Sequence, residues 1–313
     1  MKTAFLFAGQ GTQHVGMGRD LYESFPTFRA VFDQAAQVLP FDLKGLCFHG
    51  PEEQLNDTRY TQPCMVAFAA GLNAVLSERG IRPDCVAGLS LGEYSALCAA
   101  GVFTPEQAVR LVAFRGAAMA DAVQNRPTSM AAVLHLSRAS LEDCCQKAAS
   151  HGVVEMANFN CPGQIVIGGD EAAVQAACAL AKEAGARRCV PLKVSGPFHT
   201  SLMGPAAEQL KERFTQEVFA PMQIPVLFNC TGTTLQEGET IPTLLEKQVR
   251  SSVYLEDIIG NLPAMGIERV VEIGPGKALS AFVRKTAPQL ATVAVETAED
   301  VEALAALWKG ESA

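Results

Sequence analysis

A serine at position 90 lies between two glycines in the segment 88–92 (GLSLG), which matches the pattern G-x-S-x-G. An apolar segment at 84–88 predicts a strand before the serine, and residues 91–100 predict a helix after it. A sharp turn from strand to helix needs glycine on both sides, because a Cβ would clash with the backbone there. The turn places the hydroxyl at a helix N-terminus, where the helix dipole and free N–H groups favour developing negative charge. The segment therefore indicates a nucleophile, and the alternative is a tight turn with an incidental serine.

A nucleophilic serine needs a general base, and the chain has five histidines. His199 lies in the segment 195–200 (SGPFHT), between a predicted strand and the next helix, and it follows Ser90 in chain order as in α/β-hydrolases. His14 is close to the first glycine turn and is a second candidate for lining a pocket. We favour His199 as the base, with a purely structural histidine as the alternative.

The glycines in the segment 9–13 (GQGTQ) follow a predicted first strand. They do not complete the dinucleotide-binding pattern G-x-G-x-x-G, because position 14 is His, and the chain has no G-x-x-x-x-G-K-[ST] segment. A turn of this kind can instead direct backbone N–H groups at an oxyanion. The alternative is a plain turn between a strand and a helix.

Arg115 is the unusual residue of a nearly apolar helix predicted at 105–122. We expect this helix to be well buried, and a buried guanidinium is costly unless it is paired. The partner of Arg115 is either a carboxylate of the protein or an anionic group of a substrate, which arginine can bind through two parallel hydrogen bonds.

Composition and charge exclude other classes of function. The length of 313 residues, at roughly 150 residues per domain, allows one large domain or two modest ones. A net charge of −8 counts against general binding to a nucleic acid backbone, which needs a basic face.

No apolar run approaches the roughly 18 residues of a membrane span, and we expect the segment 3–8 to be a strand and not a signal peptide. The ten cysteines show neither C-x-x-C pairs nor metal-ligand spacing, so we expect reduced thiols, a cytoplasmic protein and no metal.

Strands and helices alternate along most of the chain, which predicts an α/β fold with a mostly parallel sheet. The middle of the chain follows instead the order β-α-β-β-α-β of a ferredoxin-like subdomain. We therefore expect a discontinuous large domain, 1–127 and 195–313, and a small subdomain at 128–194. In the large domain the predicted strands are 3–8, 84–88, 268–273 and 291–295, and the predicted helices are 62–79, 91–100, 105–122 and 277–285. In the subdomain the predicted strands are 130–136, 153–158, 164–168 and 188–194, and the predicted helices are 140–150 and 171–184.

Taken together, the sequence resembles the malonyl-CoA:acyl carrier protein transacylases, the acyltransferases of type II fatty acid synthesis and of polyketide synthases. The resemblance extends from the first strand to near the end of the chain, and the order and spacing of its motifs are highly specific. The motifs are 7–13 (FAGQGTQ), 88–96 (GLSLGEYSA), 115–116 (RG), 158–164 (NFNCPGQ), 196–199 (GPFH), Gln248 and 272–277 (EIGPGK).

The resemblance implies a hydrolase-like large domain with a ferredoxin-like insertion. It also implies that Ser90 is the nucleophile and His199 the base. The backbone N–H groups of Gln10 and Leu91 are the implied oxyanion hole.

Four further residues take their expected roles from the resemblance. Arg115 is similar to the family's clamp on the free carboxylate of malonate, and Gln248 to the residue that orients the histidine in place of a triad carboxylate. Asn160 is similar to a residue that lines the pocket, and Phe198 to the malonyl-selective form of related acyltransferases. The chain departs from the family at Leu89, where histidine is common, which weakens any claim of a second polar contact to the substrate there.

The resemblance implies a ping-pong transfer of a malonyl group from malonyl-CoA to the phosphopantetheine thiol of acyl carrier protein, for fatty acid synthesis. Exchange of one thioester for another is close to energy-neutral, so we expect no cofactor. The expected partners are acyl carrier protein and a coenzyme A thioester, with no nucleic acid, no membrane and a monomeric state.

Three alternatives stay open at this point. The first is an acyltransferase that serves a polyketide synthase, with malonyl or another acyl preference. The second is a thioesterase or lipase, which differs in using water as the acceptor; Arg115 counts against a lipid substrate. The third is a binding module without catalysis, which the presence of serine, histidine and both glycine turns disfavours.

Overall fold

The structure is a computed structural model that describes residues 1–124 and 126–312, so Asn125 and Ala313 lie outside the described residues. Within the described residues the chain forms fourteen α-helices and eight β-strands. The strands are β1 (Thr3–Phe7), β2 (Cys85–Gly88), β3 (Thr128–Leu134), β4 (Val154–Cys161), β5 (Gln164–Asp170), β6 (Arg188–Pro191), β7 (Arg269–Ile273) and β8 (Ala291–Val295). The helices are α1 (Arg19–Ser24), α2 (Pro26–Ala36), α3 (Leu43–His49), α4 (Glu52–Leu55), α5 (Thr58–Glu78), α6 (Gly92–Ala99), α7 (Pro105–Asp121), α8 (Arg138–Ala148), α9 (Glu171–Glu183), α10 (Gly204–Phe214), α11 (Ile241–Val249), α12 (Leu255–Asn261), α13 (Ala278–Thr286) and α14 (Ala298–Ser312).

A parallel sheet forms the centre of the first of two compact units, which comprises Met1–Gly116, Phe219–Leu227 and Gly260–Ala313. In the described part of the chain its strand order is β2-β1-β7-β8, and every pairing is parallel. All residues of β1, β2 and β7 are buried, as expected for strands covered on both faces by helices. The prediction of a parallel α/β sheet is confirmed. The loops that follow β1, β2 and β7 meet at its carboxyl edge, where open α/β sheets bind their ligands.

An antiparallel sheet forms the second compact unit, which comprises Ala117–Val218 and Phe228–Ile259. Its described strands have the order β4-β5-β3-β6. Apolar side chains from α8 and α9, such as Leu141 and Val174, pack in one core with Val133 and Ile167 of the sheet. This order of elements in the chain and in the sheet confirms the ferredoxin-like arrangement.

The bounds of the two compact units differ from the bounds predicted for the two domains. The second unit contains the predicted subdomain, 128–194, and adds segments on both sides of it, together with residues 228–259. A helix after His199 was expected without bounds and is α10, whereas α11 and α12 were not predicted; α10 and α11 pack against each other. The assignment of 128–194 as a separate subdomain stays a prediction.

Helix α5 begins at Thr58, four residues before the predicted start at 62. The side chain of Asp57 accepts a hydrogen bond from the Arg59 N–H and caps the helix, so the first turn forms ahead of Pro63. The earlier start adds a turn that carries Thr58, a residue of the site described below. Over the described residues, no helix combines the length and the apolar character needed to cross a membrane.

Candidate active site

The turn that carries Ser90 has the strained geometry that the two glycines predict. Ser90 has a positive φ of 55°, a conformation that non-glycine residues seldom adopt. A Cβ at Gly88 would lie 2.0 Å from backbone atoms of Gly92, and a Cβ at Gly92 would lie 2.3 Å from the Phe7 carbonyl oxygen. Only glycine at both positions lets the turn close against strand β1. The serine hydroxyl is thereby held at the start of α6, where a nucleophile is presented in α/β-hydrolases.

The two predicted oxyanion donors lie on adjacent turns of the first unit. Leu91 directly precedes α6, and Gln10 lies in the turn after β1. These turns pack closely, because a Cβ at Gly9 would lie 2.7 Å from the Leu89 carbonyl oxygen. Within the described residues, neither the Gln10 N–H nor the Leu91 N–H donates a hydrogen bond to the protein. Two such N–H groups beside a nucleophile can stabilise an oxyanion.

Arg115 lies beside the nucleophile and is 1% exposed. Its Nη2 donates a hydrogen bond to Ser90 Oγ at 3.2 Å, and its Nη1 donates to Gln62 Oε1 at 2.8 Å. The guanidinium also lies over the ring of Tyr94, 5.7 Å from its centroid. Burial lowers the pKa of Arg115, and the charges of Tyr94 and Glu93 offset part of this effect. These two hydrogen bonds go to neutral groups, and a guanidinium can bind a carboxylate through two parallel hydrogen bonds.

Gln62 and Thr58 are site residues that the sequence analysis did not identify. Gln62 Nε2 donates to Thr58 Oγ1 at 2.9 Å, and Thr58 Oγ1 donates to Gln10 Oε1 at 2.8 Å. A signal was present in the sequence, since Gln62 directly precedes the apolar run 63–72 and Thr58 lies one helical turn before it. Thr58, Gln62, Ser90, Leu91, Gln10 and Arg115 all belong to the first unit.

His199, the predicted base, lies in the second unit. It is 3% exposed and has a positive φ of 63°. Its Nδ1 lies 2.8 Å from the carbonyl oxygen of Gln248. A carbonyl only accepts hydrogen bonds, so the ring proton is on Nδ1 and the lone pair is on Nε2, as a general base requires. The contact is made by the main chain of Gln248, which a side-chain motif does not reveal.

Two further hydrogen bonds hold the turn that carries His199. Thr200 Oγ1 donates to the Pro197 carbonyl oxygen at 2.6 Å. Glu155 accepts from both the N–H and the hydroxyl of Ser201, at 2.7 and 2.6 Å. The backbone around the histidine is therefore fixed from both sides.

The remaining predicted site residues also lie in the second unit. Phe198 is buried directly before the histidine and packs against Gly196. Asn160 lies near the end of β4 and is 7% exposed, and its Oδ1 has no hydrogen-bond partner among the described residues. A buried amide oxygen of this kind is suited to accept a hydrogen bond from a ligand. Their roles towards a substrate stay predictions.

His14, the candidate for lining a pocket, and the thiol of Cys98 lie in other surroundings. His14 forms an ion pair with Glu296 at 2.5 Å, and Glu296 also accepts a hydrogen bond from the Gly276 N–H. Burial alone would lower the pKa of His14, but the hydrogen bond and charge of Glu296 outweigh it and raise the pKa. His14 thus links loops at the sheet edge. Burial raises the pKa of Cys98 to about 12, which disfavours the thiolate that a cysteine nucleophile needs.

Comparisons with known proteins agree with these features. Residues 4–311 match the family model described as "Acyl transferase domain". The malonyl CoA-acyl carrier protein transacylase of Bacillus subtilis is 43% identical over 302 residues, which are 96% of this chain and 95% of that protein. The enzyme of the same name from Escherichia coli is 40% identical over 93% of this chain and 95% of its own length.

Solved structures extend the similarity to the fold. The crystal structure of MCAT from Streptococcus pneumoniae is 46% identical, with a TM-score of 0.93, and the match covers 98% of this chain and all of that one. A malonyl-transacylase solved in complex with its type II PKS acyl-carrier protein is 37% identical, with a TM-score of 0.95 and the same coverage. The match spans both compact units. The chain therefore belongs to the acyl transferase family and, within it, to the malonyl-CoA:acyl carrier protein transacylases.

Proposed function

We propose that this acyltransferase moves a malonyl group from malonyl-CoA to the phosphopantetheine thiol of acyl carrier protein, through an ester on Ser90, for fatty acid synthesis. The observation that carries the proposal is the buried guanidinium of Arg115, 3.2 Å from the serine hydroxyl. Malonate attached to Ser90 has its free carboxylate one methylene beyond the ester carbonyl. A cation this close to the nucleophile suits a short acyl group that ends in a carboxylate.

The proposed reaction has two matched halves. His199 removes the proton of the Ser90 hydroxyl, which attacks the thioester carbonyl, and the N–H groups of Gln10 and Leu91 stabilise the tetrahedral oxyanion. His199 then protonates the leaving coenzyme A thiol. In the second half His199 takes the proton of the carrier thiol, the sulfur attacks the ester carbonyl, and the Ser90 oxygen leaves as a hydroxyl with the proton returned by His199. One thioester replaces another, so we propose that the reaction uses no cofactor or metal.

Arg115→Ala tests the carboxylate clamp. We expect malonyl transfer to fall about 30-fold to several-thousand-fold, because a charge-assisted contact in a desolvated site is worth roughly 2 to 5 kcal/mol. Acetyl transfer, which involves no carboxylate, should fall little or even rise. The measurement is kcat/KM for malonyl-CoA and for acetyl-CoA, with Arg110→Ala on the exposed side of the same helix as the control.

Two results would contradict the clamp. An equal loss with both acyl groups, together with a lower thermal stability, would show that Arg115 serves the fold. An unchanged ratio of malonyl to acetyl transfer in a stable Arg115→Ala variant would show that another group selects the substrate.

The carrier protein is proposed to dock on basic residues of the second unit. Arg187, Arg188 and Lys193 are exposed at and beside β6, an edge strand of the antiparallel sheet that also exposes Val190. Carrier proteins are typically acidic, and the overall charge of this chain is repulsive to them, so binding needs a local basic surface. The malonyl-transacylase solved with its acyl-carrier protein supports a direct complex of this kind.

Arg188→Glu tests this docking surface. Reversal of the charge should raise KM for the carrier protein about threefold to tenfold, because an attraction becomes a repulsion, and leave KM for malonyl-CoA unchanged. Lys211→Glu, an exposed reversal on α10, serves as the matched control. Equal effects of both variants, or an equal change in both Michaelis constants, would reject the surface.

A role in polyketide synthesis is the second candidate, because one matching structure is a malonyl-transacylase in complex with its type II PKS acyl-carrier protein. Rates with carrier proteins from the two pathways distinguish these roles. A thioesterase would release free malonate at the same rate with and without the carrier thiol.

The ten free cysteines support the further proposal of a reducing, cytoplasmic location. We also propose that the protein is a monomer.

A further inference from the structure

A chain of hydrogen bonds joins the Arg115 guanidinium to the side chain of Gln10. The first bond runs from Arg115 Nη1 to Gln62 Oε1 over 2.8 Å, and the second from Gln62 Nε2 to Thr58 Oγ1 over 2.9 Å. The third runs from Thr58 Oγ1 to Gln10 Oε1 over 2.8 Å. Thr58 and Gln62 are at most 1% exposed, so water does not replace these contacts. Both ends of the chain are residues of the proposed active site.

The direction of every bond in this chain is determined by the arginine. A guanidinium only donates, so the Gln62 atom that faces it is the amide oxygen. The amide nitrogen of Gln62 therefore faces Thr58 and donates to its hydroxyl oxygen. The single proton of that hydroxyl is then directed at Gln10 Oε1. A flipped Gln62 amide would place its nitrogen against the guanidinium, so that two donors would face each other in a buried site.

The fold brings these residues together through one close helix contact. Thr58 and Gln62 lie on the same face of α5, one turn apart. A Cβ at Gly116 would lie 2.6 Å from the Thr58 carbonyl oxygen, so glycine allows α7 to approach the first turn of α5. Arg115 directly precedes this contact. The arginine-glycine pair thus supplies both the cation and the space that lets it reach Gln62.

We infer that Thr58 is a positioning residue that couples the carboxylate-binding guanidinium of Arg115 to the turn of Gln10. Without its hydroxyl, the amide nitrogen of Gln62 loses this acceptor, and the direction of the guanidinium is less firmly fixed. The side chain of Gln10 loses its partner at the same time. The inference rests on the proposed function and adds a residue that touches neither the carboxylate nor the reacting atoms.

Thr58→Val is the first test, because valine has nearly the same shape and no hydroxyl. We expect kcat/KM for malonyl-CoA to fall about tenfold to thirtyfold, since buried polar groups lose their partners. For acetyl-CoA we expect a fall of about threefold, so the malonyl-to-acetyl ratio drops. Thr58→Ser, which keeps the hydroxyl, should restore the ratio to within about twofold of the wild type.

Thr61→Val is the matched control on the same helix. Thr61 is equally buried, but its hydroxyl donates to the carbonyl oxygens of Leu55 and Asp57. It takes no part in the hydrogen bonds that join Arg115 to Gln10. This variant should lose thermal stability and keep the malonyl-to-acetyl ratio. A change of ratio as large as that of Thr58→Val would overturn the inference, because loss of any buried hydroxyl would then suffice.

Two further variants complete the test. Gln62→Leu breaks the chain at another bond and should lower the ratio in the same direction; it decides the matter if Thr58→Val does not fold. Adding Thr58→Val to Arg115→Ala should not lower the ratio further, because the coupling acts through the guanidinium. An unchanged malonyl-to-acetyl ratio in a folded Thr58→Val variant would overturn the inference but leave the proposed function standing. Additive effects in the double variant would do the same. Absence of malonyl transfer in the wild type would instead overturn the proposed function, and the inference with it.

Discussion

Replacement of Ser90 by alanine is expected to abolish the malonyl-enzyme and to lower malonyl transfer by about five to six orders of magnitude. The geometry gives the reason, because the hydroxyl of Ser90 is placed at the start of α6 beside two backbone N–H groups. Alanine retains the backbone but offers no atom that can form the ester. The measurements are transfer of radiolabelled malonyl to the carrier protein and covalent labelling by malonyl-CoA.

Ser95→Ala is the matched control for this variant. Ser95 lies on the same helix and is also buried, and its Oγ has no hydrogen-bond partner among the described residues. The Ser95→Ala variant should keep both malonyl labelling and malonyl transfer, while Ser90→Ala should keep only the fold. A Ser90→Ala variant that still forms a malonyl-enzyme would place the nucleophile elsewhere, with the cysteines as the next candidates.

Replacement of His199 by alanine is expected to slow both half-reactions about a thousandfold or more. Hydrogen bonding of Nδ1 to the Gln248 carbonyl leaves Nε2 as the proton acceptor, and alanine has no group that replaces it. Pre-steady-state acylation by malonyl-CoA measures the first half, and discharge of the isolated malonyl-enzyme by carrier thiol measures the second. Added imidazole should restore part of the rate, because it supplies the missing base.

His135→Ala controls for the unusual backbone at this position. His135 also has a positive φ of 63° and belongs to the same unit, but it is exposed. Replacement of His135, a histidine with the same left-handed backbone conformation, should leave acylation unchanged. Near-normal acylation by His199→Ala would show that a different group removes the serine proton.

The sequence predicts the parts of the site that depend on local geometry. Gly88 and Gly92 predict the turn of Ser90, because contacts within a few residues and with the preceding strand require them. Strand β8 has the predicted bounds, 291–295. The chain leaves the strand there, because Asp300 accepts a hydrogen bond from the Thr297 N–H at the start of the next helix. The family resemblance adds the roles of residues far apart in the chain.

Long-range contacts are the part that the sequence does not predict. The partner of Arg115 was left open between a protein carboxylate and a substrate, and the hydrogen bond to Gln62 joins two helices 53 positions apart. The link from His199 to Gln248 uses a carbonyl group, which every residue carries. The start of α5 was predicted too late, at 62, from the helical spacing of the residues that follow, while the cap by Asp57 sets the start at Thr58.

The central claim is that a malonyl group is carried on Ser90 between two thiols. The direct measurement is intact mass spectrometry of the wild type after mixing with malonyl-CoA, followed by peptide mapping and by addition of carrier protein. We expect a mass increase of one malonyl group, located on the peptide that contains Ser90 and removed by the carrier thiol. A label on a cysteine, or a Ser90 ester that water removes as fast as the carrier thiol does, would contradict the account.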